Sequence, residues 1–375
     1  MYSKASDVPA PDKVSEKETA QHLDSLTKPP GSLGRLEELA IWAGGVQGQS
    51  PPQLFEQIRL VIFAGDHGVA TAAGTSAFPS EVTAQMVANF LTGGAAANVL
   101  ANVAGATVRV VDVAVNSDYQ GLGVPEHVWQ NRIRRGSGSL DREDALTVAE
   151  AEDSIALGAA IADEEIDSGA DLLIAGDMGI GNTTPAAALI AGVTGADPVA
   201  VCGRGTGIDD ETWMRKVSAI RDGLWRAHDW RPDPIVLLQK VGGADLGAIS
   251  GFVAQAARRG TPVVLDGVVV GAAALLAERM HPGAKRWWLA GHQSAEPAHS
   301  VCLEYLELDP LLRYSMRLGE GSGALLALPL LQGAIATSAE MATFSEAGVS
   351  GKSAEQAEDT ALPDESKAAS EDNTT

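Results

Sequence analysis

The chain predicts an α/β protein, a doubly wound and mostly parallel sheet of Rossmann-like type with a small helical domain assembled from both termini. Short apolar, β-rich runs recur down its middle, each ending in a glycine turn with a polar residue at the lip. Alanine-rich helical stretches separate these runs, and the two ends carry helical patterns without them. Strands alternating with helices at this spacing indicate a parallel sheet covered on both faces, whose ligands bind beyond the carboxyl ends of the strands.

The elements follow in order. Residues 17–26 and 33–43 predict helices around the Pro29-Pro30-Gly31-Ser32 break. The run from Leu60 to Gly65 predicts a strand leading into Asp66, His67 and Gly68. Residues 78–90 predict a helix opened by Pro79 and Ser80, with Val82, Met86 and Phe90 on one apolar face. Helices are expected over 95–104, 145–165, 246–258 and 271–279, and strands over 108–115, 172–176, 198–201, 262–265 and 287–290. Residues 234–238 fit either type. Residues 322–336 predict a last helix with Leu325, Leu328 and Leu331 along one side. The expected division is 14–50 and 306–343 for the helical domain and 55–305 for the α/β domain. Residues 344–375 are expected to form a disordered acidic tail. From Glu346 onward there are eight acids against two lysines and few apolar residues, too little to offset ordering entropy.

Composition excludes several classes. A net charge of −22 argues against nucleic-acid binding, which needs a basic face. No uninterrupted apolar run reaches the roughly eighteen residues expected of a membrane helix. The segment Met1-Tyr2-Ser3-Lys4-Ala5-Ser6-Asp7 has no apolar signal core, so a cytoplasmic protein is expected. Cys202 and Cys302 stand far apart in no metal-ligand spacing and fit structural thiols in a reducing compartment.

The run from Leu172 to Pro185 reads as a phosphate site. An apolar strand feeds the turn Gly179-Ile180-Gly181-Asn182-Thr183, and Thr184 with Pro185 supplies an N-cap and first helical position. Unpaired first-turn amides would then face an anion. The loop lacks the lysine of a P-loop and the third glycine of the dinucleotide fingerprint. The same turn without a ligand accounts for this loop equally well by itself. Further glycine-rich turns lie at 203–207, where Arg204 could add charge, and at 241–245. In Arg317-Leu318-Gly319-Glu320-Gly321-Ser322-Gly323 the glycines isolate one carboxylate ahead of an apolar helix. Glu320 fits a general base whose pKa is raised by desolvation, or a charge placed for the helix dipole. His67 and His292 fit hydrogen-bonding roles at strand ends better than metal ligation.

The ordered set of motifs resembles the nicotinate-nucleotide:dimethylbenzimidazole phosphoribosyltransferases of cobalamin nucleotide-loop assembly. It comprises Lys28-Pro29-Pro30-Gly31-Ser32-Leu33-Gly34, Gly65-Asp66-His67-Gly68, Glu81-Val82-Thr83-Ala84-Gln85-Met86, Gly176-Asp177-Met178-Gly179-Ile180-Gly181-Asn182, Val241-Gly242-Gly243, Leu265-Asp266-Gly267, Gly291-His292-Gln293-Ser294-Ala295-Glu296-Pro297 and Arg317-Leu318-Gly319-Glu320-Gly321. The resemblance implies transfer of phosphoribose from nicotinate mononucleotide to 5,6-dimethylbenzimidazole with Glu320 as catalytic base. It implies a base-binding set of Asp177, Ser80, Gln85, Met86, Met316 and Leu318. It implies a phosphoribosyl-binding set of Gly179, Ile180, Gly181, Asn182, Thr183, Gly205, Thr206, Gly207, Gly243, Asp266 and Ser294. It also implies no metal or cofactor, small-molecule partners only, and a homodimer. Asp177 departs from the glutamate that members often carry there, and is one methylene shorter. A dinucleotide-dependent oxidoreductase on the same fold is the alternative enzyme, and a nucleotide sensor the alternative non-enzyme.

Overall fold

The structure, a computed structural model, describes residues 8–230 and 232–350. Helices α1 (Lys13–Ser25) and α2 (Arg35–Gln47) come first, then β1 (Ile58–Gly65), α3 (Gly68–Ala72), α4 (Glu81–Leu91), α5 (Ala96–Ala104) and β2 (Thr107–Ala114). A short α6 (Glu126–Trp129) precedes α7 (Val148–Asp167), β3 (Leu172–Met178), α8 (Thr183–Thr194), α9 (Pro198–Val201), α10 (Asp210–Arg226), α11 (Pro234–Val241) and α12 (Ala244–Arg258). The chain continues through β4 (Val263–Leu265), α13 (Val268–Met280), β5 (Trp288–Ala290), α14 (Pro297–Leu306), α15 (Ser322–Glu340) and α16 (Phe344–Ala347).

The five strands form one sheet in the order β2-β1-β3-β4-β5, and every adjacent pair is parallel. From Leu60 to Ala64 and from Leu172 to Asp177 the central strands are buried throughout, as strands covered on both faces must be. The winding changes direction between β1 and β3, which leaves a crevice beyond their carboxyl ends. Helices α7 and α12 cover one side of the sheet in backbone contact. A Cβ on Gly158 would lie 1.8 Å from the Ala248 carbonyl oxygen, and one on Gly251 would lie 1.9 Å from that of Ile155.

Helices α1, α2 and α15 pack together over a small cluster of Leu23, Leu26 and Ala40. Helix α15 also packs on β3 and α5, and its Leu325, Leu328 and Leu331 belong to the main core. Residues 307–321 are not helical. They run beside 291–295, with Gln293 donating to the Leu312 carbonyl at 2.8 Å and Ala295 to that of Met316 at 2.9 Å.

Several local expectations are corrected, and the one left open, 234–238, is decided. Residues 198–201 form α9 rather than a strand, because Asp197 accepts from the Val199 amide at 2.7 Å and Pro198 occupies the first helical position. The same device, Asp233 capping Ile235 and Val236 ahead of Pro234, makes 234–241 helical. In α4 the buried side chains are Thr83, Ala84, Val87 and Phe90, while Val82 and Met86 are half-buried. Helix α8 starts at Thr183 with Asn182 at the N-cap position, two residues earlier than the Thr184 and Pro185 reading. Residues 351–375 of the expected tail lie outside the described residues; 344–347 form the capped turn α16, with Thr343 accepting from the Glu346 amide.

Candidate active site

The loops leaving β1 and β3 meet at the switch point. Gly179 lies against β1 so closely that a Cβ there would be 1.9 Å from the Gly65 carbonyl oxygen. Gly181 takes φ +91, a left-handed conformation that favours glycine. The Ile180 amide donates to Thr83 Oγ1 at 3.1 Å, and Thr83 donates to Asp66 Oδ1 at 2.5 Å, so α4 and β1 brace the turn from beneath. Asn182 makes no cap. Its amide nitrogen instead donates to Asp177 Oδ2 at 2.5 Å, which leaves the start of α8 open.

A second wall comes from residues 203–208. The Gly205 amide donates to Glu296 Oε1 at 2.8 Å, and Arg317 donates to the Gly205 carbonyl. Lys216 of α10 is 1% exposed; its Nζ donates to Thr183 Oγ1 at 2.8 Å and to the Gly203 carbonyl at 3.1 Å. Burial pulls its pKa below the ordinary lysine value, opposed by nearby Glu296 and Cys202. Arg204 bends back to Asp210 Oδ1 at 2.5 Å and the Ile208 carbonyl at 2.9 Å, so its charge is already matched.

The third wall is the turn before α15. Gly319, Glu320 and Gly321 take φ +86, +64 and +80, and a left-handed glutamate costs about 1–2 kcal/mol against ordinary backbone. Asp266 holds this turn by accepting from the amides of Gly321 at 3.2 Å, Gly323 at 2.8 Å and Ala324 at 3.2 Å. The Glu320 amide donates to the Asp177 carbonyl at 3.1 Å, tying the turn to β3. The buried Glu320 carboxylate accepts from the Ala97 amide at the start of α5 at 3.4 Å. Burial pushes its pKa up, the Ala97 amide opposes this, and the Asp266 charge adds to it. Asp177 is pushed well above the usual carboxylate range by burial, with Asp266, Asp245 and Glu320 nearby adding and Asn182 opposing.

These walls surround a cavity that is partly open to solvent. A turn with helix amides and a buried lysine suits a phosphate, and a desolvated carboxylate beside it suits proton abstraction. A family model described as phosphoribosyltransferase matches residues 8–349. The nicotinate-nucleotide:dimethylbenzimidazole phosphoribosyltransferase of Mycobacterium marinum is 57% identical over 343 residues, covering 92% of this chain and 94% of that relative. The enzyme of the same name from Mycobacterium tuberculosis is 57% identical over 356 residues, covering 95% and 97%. The crystal structure of CobT from Thermus thermophilus aligns with a TM-score of 0.86 at 45% identity, covering 90% of this chain and 100% of that one.

The chain belongs to this phosphoribosyltransferase family. In this member Asp177, Gly179, Ile180, Gly181, Asn182, Thr183, Gly205, Thr206, Ser294 and Leu318 line the cavity. Gly207, Gly243 and Asp266 do not: Gly243 opens α12 against His67 and Asp245, and Asp266 spends its lone pairs on the α15 turn. Ser80, exposed Gln85 and half-buried Met86 lie on or just before α4, outside the enclosed space, as does Met316. Glu320 is not among the residues lining this cavity, although its neighbours Leu318 and Gly319 are, and its carboxylate meets the Ala97 amide of α5. His67 and His292 sit at strand ends, His67 Nε2 lying 3.0 Å from Asp245 Oδ2.

Lys216 and Glu296 line the cavity too, and neither was anticipated. The signal for Lys216 was present: it heads the buried stripe Lys216, Ala219, Ile220, Gly223 and Leu224 of α10, where a lysine is out of place unless paired or liganded. Replacing Lys216 with methionine keeps the stem and removes the charge. The variant should weaken nucleotide and inorganic phosphate about ten- to a hundredfold in calorimetric titration. Unchanged affinity for both would remove Lys216 from the site.

Proposed function

We propose that the chain transfers phosphoribose from nicotinate mononucleotide to 5,6-dimethylbenzimidazole, giving α-ribazole 5′-phosphate and nicotinate, with Glu320 as the general base. The observation that carries this reading is the placement of one buried carboxylate of raised pKa on a left-handed turn. That turn borders a cavity whose opposite wall has the features of a phosphate site. Nicotinate leaves with its ring nitrogen uncharged when the bond from C1′ to that nitrogen breaks, because the electron pair returns to the nitrogen. A benzimidazole nitrogen forms the new bond to C1′ from the opposite face, so the β anomer becomes α. The proton on the other ring nitrogen passes to Glu320. Phosphate held by the 179–183 amides and Lys216 fixes C1′ relative to the incoming ring.

The base slot of this reading lies between Glu320, Asp177 and the α4–α5 side. In this reading the incoming base is contacted by Ser80, Gln85, Met86, Met316 and Leu318. Glu320 touches α5 through Ala97 and the phosphate turn touches α4 through Thr83, so both half-sites rest on the same pair of helices. The dinucleotide alternative is not favoured, since relatives this similar carry the phosphoribosyltransferase name.

A homodimer and a cytoplasmic setting belong to the same proposal. Val99 and Val103 on α5, 59% and 77% exposed, and Leu326 and Leu330 on α15, 38% and 41% exposed, sit one helical turn apart on two helices that pack together. Apolar stripes of this kind mark an interface. The two buried thiols, Cys202 and Cys302, are unpaired, as a reducing compartment requires.

Sedimentation should give twice the mass of one chain, and Val103→Asp should shift it to a monomer; a monomeric wild-type protein would end the dimer reading. Glu320→Gln keeps the shape of the side chain but takes no proton, so kcat should fall by roughly 10²- to 10⁴-fold with little change in nucleotide affinity. With its pKa raised in the fold, ionised Glu320 costs stability as pH rises through that value, so Glu320→Gln should melt no lower than wild type at neutral pH. A helix-dipole role predicts the reverse pair: near wild-type kcat and a lower Tm.

A further inference from the structure

Asp66 and His67 at the end of β1, and Thr83 of α4, take no part in the proposed transfer, and none of them lines the cavity. They meet beneath the 179–183 turn. Thr83 is wholly buried on a face of α4 otherwise made of Ala84, Val87 and Phe90, where a valine of nearly the same shape would pack. A buried helical threonine can satisfy its hydroxyl on a carbonyl of its own helix. Thr83 sends it out of the helix instead, donating to Asp66 Oδ1 at 2.5 Å and accepting from the Ile180 amide at 3.1 Å.

Asp66 sets the direction of this bond. Its Oδ2 accepts from the Asn116 amide at 2.8 Å, and its Oδ1 takes the single Thr83 hydroxyl proton, so Thr83 Oγ1 faces Ile180 as an acceptor. Ile180 is gripped on its other side as well: its carbonyl accepts from the His67 amide at 3.2 Å, and the His67 ring is anchored by Asp245 of α12 at 3.0 Å. The Ile180–Gly181 peptide is trans, so a carbonyl turned toward His67 sends the Gly181 amide the opposite way. No group among the described residues accepts from that amide, and Gly181 lines the cavity. Glycine adopts left- and right-handed backbone about equally. At 179 and 181 the hydrogen bonds to Ile180, more than side-chain sterics, therefore decide which way the peptides face.

We propose that Thr83 is a positioning residue for the phosphate: by holding the Ile180 amide inward, it fixes the turn in the orientation that presents the Gly181 amide to the ligand. Thr83 does not reach the cavity and acts through Ile180. This rests on the phosphoribosyl-transfer reading and names the hydroxyl that keeps its phosphate turn in shape.

Calorimetric titration of the full chain with inorganic phosphate, nicotinate mononucleotide and 5,6-dimethylbenzimidazole tests it. Thr83→Val keeps the shape and loses the hydroxyl. It should weaken phosphate and nucleotide about tenfold or more, with dimethylbenzimidazole within about threefold of wild type. Thr83→Ser keeps the hydroxyl and loses the methyl, and should bind phosphate and nucleotide within about threefold of wild type. Both variants should melt below wild type, valine for the unpaired Ile180 amide and serine for the lost buried methyl. A merely structural threonine would therefore give affinities that follow Tm, whereas a positioning one gives affinities that follow the hydroxyl. Undiminished phosphate affinity in Thr83→Val overturns the proposal. So does an equal loss in Thr83→Ser, or a loss shared equally by dimethylbenzimidazole. If Thr83→Val does not fold, Thr83→Ala against Thr83→Ser isolates the hydroxyl and decides. The predicted pattern of affinities in a protein that forms no α-ribazole 5′-phosphate would support the positioning role and refute the transfer reaction. Turnover by wild type with unaltered affinities in Thr83→Val would do the reverse.

Discussion

One buried carboxylate holds the active centre together. Asp266 follows β4, lies wholly out of solvent, and accepts the backbone amides of Gly321, Gly323 and Ala324 at the entry to α15. Those bonds compensate the left-handed run at residues 319–321 and fix where Glu320 can point. Its charge also discourages ionisation of Glu320 and Asp177. A structural residue thereby shapes the acid–base chemistry.

Close backbone approach is the second constraint. Gly176 faces the Glu320 turn, where a Cβ would come within 2.7 Å of the Glu320 carbonyl carbon, and Gly179 faces Gly65. The sheet and two loops therefore touch without side chains between them. Such contacts keep the phosphate turn and the base in fixed register, and positioning of that kind is a large part of what an in-line displacement needs.

Much of this was legible in the chain. The alternation of apolar runs and alanine-rich helices identified the parallel sheet, since buried parallel strands are uniformly apolar. The glycine turns marked the strand ends. What escaped was information carried by partners distant in sequence. Asp266 looks like a ligand residue at the lip of a strand, yet the α15 amides that occupy it come more than fifty residues later. Arg204 looks like the cation of its loop, but Asp210 neutralises it and Lys216 from the next helix takes the place. Local chemistry misled at 198–201 as well, where two β-branched valines were outweighed by an Asp-Pro helix start.

The central claim is that Glu320 is a desolvated base poised by its turn. Carbon-13 NMR titration of its side-chain carboxyl in the free enzyme, assigned by comparison with Glu320→Gln, measures this directly. The account predicts a midpoint above that of an ordinary glutamate. A midpoint at or below the ordinary value would contradict it.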